Sequence, residues 1–404
     1  MISPPSHSSH KRVAVTALGV VSPLGVGAAE TLSSLRKNRD CVQPVTAFDV
    51  SDTRSKTAGH VPPDFLASEN RRHPRLHPAA HMLSTATQEA LVGFRNGVAE
   101  LFVAGTTSGG MSFGEQFFRN LLARRGKRFN ARLVGNYMPQ KPVLDALDIA
   151  GLRIPIQIIA NACATGTNAI GHAFTLVRSG RYKAVLAGGY DALSELVFVG
   201  FDALQASTPE KIRPFDATRS GLVLGEGAAV LALEEMEQAR NRGARILGEV
   251  TGYGVSTDNY HLTQPHPSGI GPKLAMQRAI SSAGRQPDEI DYVNAHGTAT
   301  HFNDATEGAA ISEIFGDVAV SSTKSMMGHC LGAAGAVEAA LSLLALQHQF
   351  LPPNINTVQP DPQNTFSIVA NQSRSADLHA VISNSFGFGG TNAAIVLERT
   401  INDE

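Results

Sequence analysis

The chain has 404 residues, 43% hydrophobic and 17% charged, which is enough apolar material for more than one core and excludes a disordered chain. Its formal net charge of -1 gives no global field toward nucleic acid or anionic membrane, so an acidic partner must meet a local basic patch. Three cysteines, Cys41, Cys163 and Cys330, are odd in number and lack metal-ligand spacing, which argues for a reducing compartment, here the cytoplasm, and against a disulfide framework or a bound metal.

The segment Met1–Lys11 is rich in Ser, Pro and His without an apolar stretch, so it reads as a short tail rather than a signal peptide. A strand is expected at Val13–Leu18, helices around Ala28–Lys37 and at Pro78–Asn96, and a strand at Glu100–Val103. Basic residues cluster in Arg71-Arg72-His73-Pro74-Arg75 and in Arg124-Arg125-Gly126-Lys127-Arg128. The β-branched run Ile154–Ile159 predicts a buried strand that turns, at Asn161-Ala162-Cys163-Ala164-Thr165-Gly166, into a helix over Asn168–Val177. A strand at Ala184–Ala187 is expected to end at Gly188-Gly189. The strand Ala228–Leu233 leads to a helix at Glu234–Arg242 capped by Gly243, and a fresh series begins with Arg245–Gly254. Short strands at Ile290–Val293 and Val318–Val320 precede a small-residue helix at Gly332–Leu346. The apolar stretch Cys330–Leu346 carries Glu338 and several glycines, and reads as a buried helix rather than a membrane span. Such alternation implies layered α/β structure, and no solenoid period interrupts it.

Cys163 stands where a strand becomes a helix, beside unpaired helical N–H groups and the positive end of the helix dipole, which favour a thiolate nucleophile. His296, in Asn294-Ala295-His296-Gly297-Thr298-Ala299-Thr300, and His329, in Lys324-Ser325-Met326-Met327-Gly328-His329, follow the two short strands. Both occupy the strand ends where open α/β sheets carry their chemistry.

With these motifs in place, the chain resembles the β-ketoacyl-acyl-carrier-protein synthases, condensing enzymes of the thiolase superfamily, and most closely the elongating type II kind. The resemblance runs from residues 12–25 to Asn384-Ser385-Phe386-Gly387-Phe388-Gly389-Gly390-Thr391-Asn392, through Arg213-Pro214-Phe215-Asp216, Gly225-Glu226-Gly227-Ala228, the His296 segment and Lys324 to Gly335. It implies a thiolase-like five-layer αβαβα fold from two similar halves, 1–243 carrying the nucleophilic Cys and 244–404 carrying two catalytic His. The implied reaction is a decarboxylating Claisen condensation of a Cys163-bound acyl chain with malonyl-acyl-carrier protein, giving 3-oxoacyl-acyl-carrier protein in fatty-acid or related polyketide or polyene synthesis. No bound cofactor is implied, because the substrates ride on the phosphopantetheine of acyl carrier protein.

The glycine-rich segment Phe386–Gly390 permits close backbone approach, so the N–H groups of Cys163 and Phe388 are expected to form an oxyanion hole. Neutral His296 and His329 would stabilise the charge left by decarboxylation, and the resemblance assigns Lys324 and Glu338 to a polar network that fixes His329. By the same resemblance Thr263, Thr298 and Thr300 hold the phosphopantetheine arm, Asp304 and Glu307 support the loop, and Arg71, Arg72 and Arg75 dock the carrier. The partner subunit would be an identical copy or a ketosynthase-like paralogue. Ser108 and Phe201 fall at positions lining the family's acyl pocket. Serine there, in place of the usual apolar residue, predicts a longer or more polar acyl group. Ala17, His301 and Asn303 also depart from the family's usual Gly, Pro and Gly. Two alternatives are a non-catalytic chain-length-factor-like partner, which lacks the cysteine, and a thiolase acting on coenzyme A esters, which uses a second cysteine near the C-terminus. Residues 386–392 hold no cysteine, and Cys330 reads as packing.

Overall fold

The computed structural model describes residues 10–94, 97–123 and 132–400. The second basic cluster, Arg124 to Arg128, therefore lies outside the described residues, as do most of the expected tail and the last two residues of the expected helix at 78–96.

Ten of the twelve strands of one sheet carry the fold: β1 Val13–Ser22, β2 Leu101–Gly105, β3 Ile156–Ile159, β4 Ala184–Asp191, β5 Gly227–Glu235, β6 Gly248–Thr257, β7 Tyr292–Asn294, β8 Ala319–Ser321, β9 Ala380–Gly387 and β10 Thr391–Glu398. Their order is β8-β7-β9-β10-β6-β1-β5-β4-β2-β3. Read outward from its centre the sheet is one motif written twice. The first strand of each half is innermost, the fifth and fourth follow antiparallel, and the second and third complete it in parallel. The halves join where Val13–Val15 of β1 pair with Gly248–Val250 of β6.

Helices fill the space on both faces, as buried parallel strands require. They are α1 Ala28–Arg36, α2 Pro63–Arg72, α3 Pro78–Gly93, α4 Met111–Ala123, α5 Arg132–Tyr137, α6 Lys141–Ile149, α7 Thr165–Arg178, α8 Glu195–Ala203, α9 Met236–Asn241, α10 Ile270–Ala283, α11 His301–Phe315, α12 Lys324–Met327 and α13 Ala334–His348. α3 covers β1, β4 and β5 with α6 against it, and α10 covers β6, β9 and β10 with α11 against it. α7 and α13 touch each other and strands of both halves, so they form the middle layer. The result is an αβαβα stack. The stretch Leu331–His348 passes for a membrane span by length and composition, but 89% of it is buried inside the protein, where it forms part of the central core.

Three local expectations are corrected. The run ending at Ile159 makes β3, which is an edge strand of the sheet and only partly buried. Gly188 and Gly189 continue β4 to Asp191 instead of ending it, because Ala229 O and Gly332 O approach to 1.9 and 2.8 Å of where their Cβ atoms would sit. The helix expected from Glu234 starts at Met236, since Glu234 is still strand, pairs with Ala14 and Ala184, and sends its carboxylate to Arg242.

Candidate active site

The nucleophile's turn follows β3. Ala162 adopts φ +56°, a left-handed conformation that costs a non-glycine residue about 1–2 kcal/mol. Its carbonyl accepts from Thr165 Oγ1 at 2.5 Å, Thr165 N at 3.2 Å and Thr107 Oγ1 at 3.1 Å. That over-determined geometry holds Cys163 just ahead of α7. The backbone amides of Phe388 and of Cys163 itself face Sγ. The chain at Gly387 comes so close that a Cβ there would lie 3.0 Å from Cys163 N.

The expectation of a resting thiolate is not met. Burial pushes the Cys163 thiol up to about 11, against the opposing pull of the Lys324 charge and the two amides. The helix end cannot offset the loss of water around a side chain that is 7% exposed.

His296 and His329 enter from the other half and meet edge to face, with ring centroids 5.3 Å apart at 84°. Both rings are held well below their ordinary pKa by burial first and by the Lys324 charge second, so both are neutral imidazoles. The Leu331 amide donates to His329 Nδ1 at 3.1 Å, which places the ring proton on Nε2, a buried nitrogen with no hydrogen-bond partner among the described residues. The backbone of His329 is clamped by Val223 O at 2.7 Å and Gly225 N at 2.8 Å. Lys324 and Glu338 do form an ion pair, with both side chains fully buried. The expected fixing of His329 by that pair is corrected: the orienting bond comes from Leu331, and Lys324 reaches the imidazoles through its charge alone.

Glu307 accepts from the amides of His296 and Gly297, each at 2.8 Å, and Asp304 accepts from Ala299 N at 3.1 Å and Phe215 N at 2.8 Å. These two carboxylates bond to the backbone of the His296 loop, and Asn303 Nδ2 bridges them at 3.1 and 3.2 Å.

A single cavity of about 180 Å³ is lined by Cys163, His296, His329, Phe388, Phe201, Thr263, Thr298 and Thr300, among others. The hydroxyls of Thr298 and Thr300 lie 2.9 Å apart, and Phe201 stacks on Phe388 with centroids 5.4 Å apart. Ser108 does not line this cavity. Its N–H and hydroxyl both donate to Asp191 Oδ1 at 2.9 Å, so the acyl-pocket role expected of it is not supported. Arg71, Arg72 and Arg75 are exposed at and beyond the end of α2, with Arg72 paired to Glu69 at 2.9 Å. Cys330 is fully buried and donates to Glu226 O, consistent with packing. Among the described residues no group of His, Cys, Asp and Glu is arranged to hold a metal ion.

Sequence reasoning missed Asp191, which lies at the carboxyl end of β4, the same topological position that singled out the two histidines. It also missed Asn384, whose amide donates to Glu307 at 3.3 Å.

Residues 10–239 match the family described as "Beta-ketoacyl synthase, N-terminal domain" and residues 247–358 match "Beta-ketoacyl synthase, C-terminal domain". The chain is 37% identical over 415 aligned residues to the 3-oxoacyl-[acyl-carrier-protein] synthase 2 of Synechocystis sp., covering 96% of this chain and 98% of that protein. Among solved structures it is similar to the ishigamide ketosynthase/chain length factor, with TM-score 0.91, 32% identity, and coverage of 97% of this chain and 100% of the other. It is also similar to a type II PKS ketosynthase bound to the hexaketide and in complex with its acyl-carrier protein (AntDE:AntF), with TM-score 0.87, 27% identity, and coverage of 97% and 100%.

Proposed function

The chain belongs to the β-ketoacyl synthase family and is a condensing acyltransferase, and from that premise we propose that Cys163, His296 and His329 perform a decarboxylating condensation on carrier-bound substrates. The observation that carries this reading is one thiol and two neutral imidazoles, drawn from opposite halves of the fold, in one cavity.

In the first half-reaction the Cys163 sulfur attacks the thioester carbonyl of an acyl carrier protein, and the amides of Cys163 and Phe388 donate to the oxygen as it becomes negative. The thiol proton ends on the departing pantetheine sulfur, so a resting thiol suffices. In the second, malonyl carrier protein loses carbon dioxide and Nε2–H groups of His329 and His296 donate to the resulting enolate oxygen. The enolate carbon then attacks the acyl-Cys163 carbonyl, the carbon–sulfur bond breaks, and solvent returns a proton to the thiolate. Neutral imidazoles serve this step because the substrate arrives with its own carboxylate and needs a donor rather than a base.

Thr263, Thr298 and Thr300 would hold the phosphopantetheine arm along the cavity, and the substrates bring the only prosthetic group the reaction uses. The exposed Arg71, Arg72 and Arg75 would meet the acidic carrier. The division of the chain near Gly243 belongs to the same reading, supported by the repeated strand order. So does a second subunit of the same fold, identical or paralogous. α4 has no buried residue although it carries Phe118 and Leu122 at 58% and 66% exposure, and Leu196 of α8 beside it is 61% exposed. A partner would cover that face and the β3 edge. We place the activity in the cytoplasm, in fatty-acid or related polyketide or polyene synthesis. The test is reconstitution with an acyl-loaded and a malonyl-loaded carrier protein: formation of 3-oxoacyl carrier with one carbon dioxide per turnover is expected, and release of free acid without carbon–carbon bond formation would overturn it.

A further inference from the structure

Two non-glycine residues close in sequence to the reacting side chains are in the left-handed region: Ala162 at φ +56°, immediately before Cys163, and Leu331 at φ +53°, two residues after His329. Each is a strained conformation that persists only where its surroundings hold it. One buried carboxylate reaches both. Asp191 Oδ2 accepts from Thr107 N at 2.9 Å and from Gly332 N at 2.7 Å. Asp191 Oδ1 accepts from Thr106 Oγ1 at 2.6 Å and from Ser108 N and Oγ. Thr107 then donates its hydroxyl to Ala162 O at 3.1 Å, bracing the cysteine's turn, while Gly332 fixes the peptide after Leu331, whose amide sets the tautomer of His329. Position 332 admits only glycine, because a Cβ would sit 2.6 Å from Thr107 N and 2.7 Å from Asp191 Oδ2.

We propose that Asp191 is a positioning residue that holds the nucleophile's turn and the His329 turn in one frame, Thr107 being its arm toward Cys163 and Gly332 its arm toward His329. This rests on the condensing reading of the site, and it goes beyond that reading by assigning a shared origin to the geometry of both half-reactions. The Asp191→Ala variant removes both carboxylate oxygens, so Thr107 N and Gly332 N lose their common acceptor and both arms are released. Thr107 is exposed, so Thr107→Val removes only the cysteine arm without threatening the fold.

The experiment measures acyl transfer to Cys163 from acyl carrier protein, and separately carbon dioxide release from carboxyl-labelled malonyl carrier protein, in dimension with each variant's thermal melt. Asp191→Ala should lower kcat of both by on the order of a hundred-fold, the scale of a misplacement near 1 Å, with KM for the carriers unchanged. Thr107→Val should lower acyl transfer alone. A folded Asp191→Ala variant with both rates near wild type, or Thr107→Val lowering both rates equally, overturns the proposal. Should Asp191→Ala not fold, the Thr107→Val split decides. Iodoacetamide alkylation of Cys163 needs no carrier and should slow in Thr107→Val, so a wild-type protein that fails to condense would refute the condensing reading while this assay still judges the frame.

Discussion

Replacing Lys324 with methionine leaves Glu338 without its partner in a fully buried setting, and the consequences can be worked out for stability and for chemistry together. Removing one member of a buried ion pair costs about 3–5 kcal/mol, a factor of roughly 10²–10⁴ in the unfolding equilibrium. Burial already pushes the Glu338 carboxyl up to about 7 with the lysine present, and without it the carboxyl rises further. Protonation then caps the loss, so the variant should be less destabilised at pH 6 than at pH 8. Replacing both partners, Lys324→Met with Glu338→Leu, should recover most of the stability, because an apolar pair of similar volume is neutral or better in such a site. Activity should not return with it. The Lys324 charge helps keep both imidazoles neutral, so without it their pKa values rise and the acid limb of malonyl decarboxylation moves to higher pH. Urea titrations at the two pH values and pH–rate profiles of decarboxylation read these effects. A single variant as stable as wild type at pH 8, or a double variant with the wild-type pH profile, would refute the reasoning.

Three further outcomes follow from the site. Replacing His296 by alanine should leave acyl loading of Cys163 intact and reduce malonyl decarboxylation by about 10²–10³, the cost of one oxyanion donor, as followed by labelled carbon dioxide release. The folded state holds His296 and His329 neutral, so each contributes stability that is present above the unfolded pKa near 6.5 and is lost as pH falls below it; the thermal midpoint of the His296→Ala/His329→Ala variant should fall less between pH 6.5 and 5 than that of wild type. Reversing the charges of Arg71, Arg72 and Arg75 should raise KM for acyl carrier protein and flatten its salt dependence while leaving a short pantetheine thioester unaffected, with equal losses on both substrates arguing for damage to the fold instead.

The layered architecture was legible because its strands are short apolar runs and its central helix an unbroken one, so period and punctuation agree. Edges and close approaches were not. Nothing in the composition of Ile154–Ile159 says that its neighbour on one side is missing, and a glycine pair reads as a turn until the chain that crowds it is known. The cysteine and the two histidines were found because their place at strand ends carries meaning in sequence. Asp191 shares that placement but sits in an ordinary Tyr-Asp-Ala context, and its importance comes from donors 84 and 141 positions away that only folding brings to it. The thiolate expectation failed for a related reason. A helix end can be read from sequence, whereas the desolvation that outweighs it depends on what covers the sulfur.

In the proposed reaction Cys163 carries the growing chain while the histidines act on the second substrate. Peptide mass spectrometry of Cys163 after incubation with acyl carrier protein, followed by a chase with malonyl carrier protein, tests it most directly. The acyl group should add to Cys163 alone among the three cysteines and should leave, on the chase, as 3-oxoacyl carrier. Condensation that proceeds with Cys163 unmodified, or in a Cys163→Ala variant, would contradict it.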